Sequence, residues 1–394
     1  MTSTGLVIVL AVAAGVSLVR GLLPRLPLPG PLLELLCGLM LGPTVFGLVP
    51  VDPLLSAVSV LGMSFVLFLA GYELDVRGLV GPGERPARTG LVISLVLAPI
   101  ATGVLWLIGW DLRAAGLVAC ALLATSVGLV GPLLRDSGLA THRVGRLTLA
   151  GAALGEIAAI VAISVGFGAA RTPLASLALL GVILALGALT AWVFAFVARS
   201  PRIRAAVLAQ ADGGGQARVR LAVLAVAGFA LLASTLGLEA VLGAFLAGGL
   251  ARLVDPDPET THPGFLIKLD ALGFGLLIPV FFVTSGLRLD LRPVLADPRA
   301  VLVVPVLLIL LLAVRGTAAL AYRPVLPARD VLTAGLLLAT SLPFLLVAAE
   351  IGESSQFLDH AQAGALALTG VLSVVVLPTV AVGLGRRSFA AGVP

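Results

Sequence analysis

Residues 143–169 form an apolar run long enough to cross a bilayer, and one acid, Glu156, lies near its middle. A charge at that depth costs on the order of 2.5–3.5 kcal/mol by insertion scales and more by simulation, so it points to a partner or a water-filled path. Desolvation favours the neutral acid, whereas a nearby cation favours the carboxylate. A group balanced between them suits a site that holds a proton facing one side and exchanges it for a metal ion on the other. Arg315, inside a second apolar run LLLAVRGTAALAYR, remains charged in practice and is the expected counter-charge. The competing reading has it snorkelling to an interface or bonding backbone carbonyls. Oxygen ligands suited to Na⁺ or K⁺ are available from Glu156, from the hydroxyls of Thr125, Ser126, Thr340 and Ser341, and from unwound carbonyls. This set reads as a transient proton and monovalent-cation site centred on Glu156.

Other chemistry is poorly supported. Glu34 and Glu239 sit near expected helix starts, and Glu73, Asp75, Asp290 and Glu350 near helix ends, which suits terminal or interfacial residues. Cys37 and Cys120 lie far apart in apolar runs, and His142, His262 and His360 lack ligand-like spacing. No Ser–His–Asp, HExxH, P-loop or paired-carboxylate pattern occurs in a suitable context. The expectation is a transporter without a cofactor, not an enzyme.

The elements that must position these residues are transmembrane helices. Of the 394 residues, 59% are hydrophobic and 11% are charged, against about a quarter charged in soluble domains. With roughly 20 residues per span, thirteen segments are expected, near 4–22, 30–49, 53–72, 89–109, 115–134, 144–169, 174–198, 220–236, 238–254, 270–287, 300–321, 330–350 and 362–384. No positive charge precedes the first run, which argues against a cleavable signal and for an outside N-terminus. With that orientation, nineteen Lys or Arg fall in inner connections and five in outer ones. This is a positive-inside bias that leaves the C-terminus in the cytoplasm. The net charge of +5 is therefore read as orienting the chain in a lipid bilayer, with no nucleic-acid partner. Residues 199–220 and 255–264 read as polar inner loops.

Two strings recur at one separation. GYELDVR at Gly71 returns as GLRLDLR at Gly286, and LLATS at Leu122 returns at Leu337, each 215 residues on. The interval holds seven expected spans, an odd number, so the second copy is inverted in the membrane, as in secondary transporters. Both LLATS strings also precede helix breakers, Gly131 and Pro132 after the first and Pro343 after the second. Hydroxyls at Thr125, Ser126, Thr340 and Ser341 suit backbone freed by unwinding. Two broken helices crossing near the midplane would bring half-helix ends of both signs to the site. The plain alternative is small-residue packing between helices.

Six stretches together resemble the monovalent cation:proton antiporter-2 family of bacterial sodium/proton and potassium/proton exchangers. They are LLELLCGLMLGPTVFGL, LFLAGYELDVR, ATSVGLVGPLLRDSGLATHRVGRLTLAGAALGEIAAI, GLEAVLGAFLAGGLA, PVFFVTSGLRLDL and ATSLPFLLVAAEIG, in family order. The resemblance implies an all-α polytopic membrane protein of sodium/proton antiporter fold, with inverted repeats and two discontinuous crossing helices. It implies a homodimer in a bacterial inner membrane. The dimerisation domain would hold residues 1–88 and 221–298, the core 89–170 and 299–394, and the linker 171–220. The family's paired ion-site motif corresponds to Gly155-Glu156, so Glu156 takes the carboxylate's role while the auxiliary side chain is missing. The family's basic residue in the eleventh span corresponds to Arg315. One carboxylate makes electroneutral exchange of Na⁺ or K⁺ for a proton the natural stoichiometry. The soluble nucleotide-binding domain of some relatives is not expected in this chain. Alternatives are proton-coupled transport of another solute, or a channel or non-transporting sensor on the same scaffold.

Overall fold

The computed structural model describes residues 4–23, 29–73, 82–167, 216–236, 240–254 and 263–390, with scattered positions between 178 and 189. The expected spans other than 174–198 fall on described helices; most of that one, the loops 199–215 and 255–262, and Glu239 and Asp75 lie outside the described residues.

In chain order the helices are α1 (Thr4–Leu22), α2 (Gly30–Leu41), α3 (Pro53–Glu73), α4 (Arg85–Leu107), α5 (Leu112–Ala121), α6 (Val127–Asp136), α7 (Arg143–Phe167) and α8 (Ala217–Thr235). They continue with α9 (Ala240–Val254), α10 (Pro263–Leu272), α11 (Ile278–Arg288), α12 (Arg292–Ala296), α13 (Pro298–Leu311), α14 (Ala328–Leu338), α15 (Pro343–Ser354) and α16 (His360–Ala390). A π-helical turn, Gly273–Leu277, joins α10 to α11; a second, Leu312–Gly316, follows α13 and runs into a 3-10 helix, Thr317–Tyr322. Among the described residues no strand occurs, and nine helices are long and apolar enough to cross a membrane. In lipid the backbone must satisfy its own hydrogen bonds, and helices do so within one segment. The protein is an integral membrane protein.

The chain divides into two compact units. The first contains residues 1–14, 51–75 and 164–284. Its described core is α9 packed between α3 and α8. Lipid tails are as apolar as leucine, so such helices associate through close backbone approach at small residues. A Cβ on Gly248 would fall 1.9 Å from the Phe68 carbonyl oxygen, one on Gly71 2.1 Å from that of Phe245, and one on Gly243 2.0 Å from that of Phe229. Glycine on both faces of α9 is therefore a steric requirement.

The second unit contains residues 15–50, 76–163 and 285–394. It holds both chain breaks, Glu156 and Arg315. Residues 15–50 cluster here together with residues 285–298. Two contacts explain this. A Cβ on Gly286 would fall 2.2 Å from the Leu35 carbonyl oxygen. The Thr44 hydroxyl also donates to the Leu289 carbonyl (2.8 Å) and accepts from the Leu291 N–H (2.9 Å).

The packing of the first unit makes a paired prediction. Gly248→Ala overpacks α9 against α3, costing on the order of 1–3 kcal/mol, and lowers the apparent melting temperature in detergent. Gly249→Ala, whose Cβ would lie 3.8 Å from the nearest atom across the interface, is neutral or slightly stabilising through helix propensity. Equal losses at both positions would refute the close-approach account.

Candidate functional site

Two helices are interrupted where the LLATS strings stand. The first interruption, residues 122–126, separates α5 from α6, and the second, residues 339–342, separates α14 from α15. Pro343 occupies the first turn of α15, where its missing N–H costs nothing and its fixed φ suits helix entry. Gly131 and Pro132 lie inside α6, beyond the first interruption, so they do not mark its position. That position is set by the residues with hydroxyls. The Ser126 N–H donates to the Thr340 carbonyl across the two breaks (2.9 Å). The Thr125 hydroxyl donates to the Leu338 carbonyl. On the other side, Ser373 Oγ accepts from the Ser341 N–H (3.1 Å) and lies 2.8 Å from the Ser341 carbonyl oxygen. Backbone groups freed by unwinding are thus paired by tertiary contacts. The carbonyl ends of α5 and α14 and the amide ends of α6 and α15 gather in one region, bringing partial charges of both signs.

Arg315 sits in the π turn after α13 and is 1% exposed. Its Nε donates to Thr125 Oγ1 (2.9 Å), its Nη1 to Ser94 Oγ of α4 (3.2 Å) and its Nη2 to the Gly151 carbonyl of α7 (2.7 Å). Ser94 in turn donates to the carbonyl of Val314, within the same π turn (2.8 Å). Such turns depart from the regular helical ladder and recur at functional sites. Burying an ion costs several kcal/mol, while each hydrogen bond to a charged group returns about 1.5–3. The carboxylate of Glu156 also lies near enough to act on the guanidinium through space. Tyr322 is fully buried, and its hydroxyl donates to the Leu147 carbonyl of α7 (3.1 Å).

Glu156, on α7, is 3% exposed, and Thr125, Ser126, Thr340 and Ser341 are buried with it in the second unit. The Thr340 hydroxyl bonds back to the Leu336 carbonyl (3.2 Å), while Ser341 Oγ is buried without a hydrogen-bond partner among the described residues. That hydroxyl is positioned at a helix break and uncommitted, as a cation ligand requires. The sequence reading missed Ser94, Gly151 and Tyr322. Ser94 and Tyr322 carry a weak signal as isolated polar groups in apolar runs, but Gly151 carries none, since its contribution is a backbone carbonyl. Glu34, expected at an interfacial helix start, is 6% exposed on α2. Asp290 and Glu350 pair at the surface, with Arg292 (2.6 Å) and Arg288 (2.7 Å), contacts of small energetic weight.

The geometry can be set beside known proteins. The family model described as sodium/hydrogen exchanger, transmembrane, matches residues 8–385. The putative Na⁺/H⁺ antiporter YjbQ of Bacillus subtilis is 26% identical over 368 residues, 90% of this chain and 58% of that protein. The glutathione-regulated potassium-efflux system protein KefC of an Enterobacter species is 28% identical, over 92% of this chain and 57% of its own length. The chain therefore spans somewhat over half the length of these two relatives. The Na⁺/H⁺ antiporter of Enterococcus hirae, 24% identical, is covered over 91% of its length by 90% of this chain. Among solved structures, the sodium proton antiporter MjNhaP1 of Methanocaldococcus jannaschii superposes with a TM-score of 0.66 at 16% identity, covering 97% of this chain and 98% of that one. The likeness to MjNhaP1 is one of fold. With nearly its whole length matched, the chain belongs to the sodium/hydrogen exchanger family.

Proposed function

We propose that the protein exchanges a monovalent cation, Na⁺ or K⁺, for protons by alternating access, with Glu156 as the carboxylate for which both compete and Arg315 as its charge partner. The observation that carries this reading is a buried acid and a buried arginine in the unit where two broken helices meet. Relatives named as Na⁺/H⁺ antiporters and as a potassium-efflux protein support the substrate class.

The charge balance of such a site favours one-for-one exchange. With a proton bound, Glu156 is neutral and Arg315 contributes one positive charge. With a cation bound, the carboxylate cancels the cation and the same single charge remains. Each loaded state then crosses with equal charge, and exchange is electroneutral. The Ser341 hydroxyl and unwound carbonyls supply neutral oxygens for a weakly held ion. The outside N-terminus and the cytoplasmic C-terminus rest on the distribution of Lys and Arg, and the inner-membrane location on resemblance to the family. A homodimer, with one domain moving against a dimerisation domain, completes the proposal by resemblance to the family.

Three outcomes are expected from purified protein reconstituted in vesicles with a pH-sensitive dye. Addition of Na⁺ or K⁺, but not choline, drives proton efflux in the wild type, and Glu156→Gln abolishes the response in a folded sample. No response to any alkali cation from folded wild type would defeat the exchange reading and leave another solute or sensing. Lowering the pH adds competing protons, so the apparent KM for the cation rises, approaching about tenfold per pH unit where protons dominate the site. A KM independent of pH would show that proton and cation do not share a carboxylate. Finally, Ser341→Ala raises the cation KM about tenfold, the scale of one hydrogen bond or ligand to a charge, without loss of thermal stability. An unchanged KM would remove Ser341 from the ligand set.

A further inference from the structure

Gly155 immediately precedes Glu156 on α7, and the space its side chain would occupy is filled. A Cβ built there would fall 2.5 Å from Cζ and 2.5 Å from Nη2 of Arg315, and 2.6 Å from the Leu123 carbonyl oxygen. All three are too short for real carbon contacts, and none is with a side chain free to swing away. The guanidinium is a rigid planar fork, tied at Nε to Thr125, at Nη1 to Ser94 and at Nη2 to Gly151. Moving it off a new methyl group would break those buried bonds. Gly151 lies one turn earlier, on the same face of α7, and a Cβ there would fall 2.3 Å from the Tyr322 hydroxyl oxygen. At both positions α7 offers bare backbone to the segment that carries Arg315 and Tyr322.

We propose that Gly155 is a positioning residue: its missing side chain is the seat of the Arg315 guanidinium, so that Gly155 and Arg315 act as one unit that fixes a positive charge beside Glu156. Its role in exchange rests on the antiport reading above, whereas the seat itself is a matter of packing. Three bonds to neutral acceptors, Thr125, Ser94 and Gly151, hold the guanidinium whatever Glu156 has bound. The charge therefore stays in place while the carboxylate alternates between proton and cation. The position that lacks an auxiliary side chain is not a gap in this chain, because a cation from another helix occupies it.

The test is a double-mutant cycle on the purified full chain, read as apparent melting temperature in detergent and as cation-driven proton flux in vesicles. Gly155→Ala lowers the melting temperature in the wild-type background and lowers it less in Arg315→Ala. The Leu123 contact is common to both backgrounds, so the difference belongs to the guanidinium. Equal losses in both would overturn the proposal. In vesicles, Gly155→Ala reduces exchange at least tenfold. Gly155→Ala with Arg315→Lys recovers part of it, because an ammonium keeps the charge without the planar fork that meets the methyl group. Wild-type kcat and KM in Gly155→Ala would also overturn it. If Gly155→Ala fails to fold, a folded Gly155→Ala/Arg315→Ala protein carries the same support, and failure of both assigns the clash to Leu123 and overturns it. Wild type that moves no protons defeats the antiport reading alone, and the melting cycle still decides the seat.

Discussion

The second unit depends on burying one guanidinium. An arginine cannot escape its charge by releasing a proton, so at 1% exposure Arg315 must be matched by acceptors or the fold fails around it. Its three hydrogen bonds reach α4, the first helix interruption and α7. A network of this kind stabilises when complete and is costly when any member is missing. The charge therefore specifies an arrangement: α4, α7, the break at 122–126 and the π turn at 312–316 must converge on one point.

The helix interruptions are stable for a related reason. In lipid an unwound turn would leave N–H and C=O groups with nothing to bond. Here each break uses the other and its surroundings, through Ser126 to Thr340, Thr125 to Leu338 and Ser373 to Ser341. Thr125 belongs to both systems, accepting from Arg315 while donating to the second break. The buried cation and the crossing are thus coupled through one hydroxyl. The first unit is held differently, by glycine-mediated backbone contact around α9. Such contact is rigid and apolar and needs no polar network.

Much of this was legible in the chain. The membrane class follows from local composition, and Glu156 and Arg315 stand out because a charge in an apolar run is expensive wherever it finally points. The paired LLATS strings located both interruptions. The Gly131–Pro132 pair misled, because a proline inside a short helix can be tolerated when neighbours satisfy the freed group, whereas the chain actually opens at the hydroxyls before it. Nothing local in residues 15–50 signals that Thr44 bridges Leu289 and Leu291.

What the sequence determined by itself was the set of deep charges, the helical architecture and the places where helices break, since each reflects the cost of polarity in lipid over a few adjacent residues. What only the tertiary structure decided was which groups meet. The partners of Arg315 lie 190, 221 and 164 residues away along the chain, and contacts at that separation leave no mark in any local window. Gly155 is the clearest case. In the sequence it is an absence beside an acid, and in the fold it is the space in which the arginine sits, because excluded volume belongs to two segments at once.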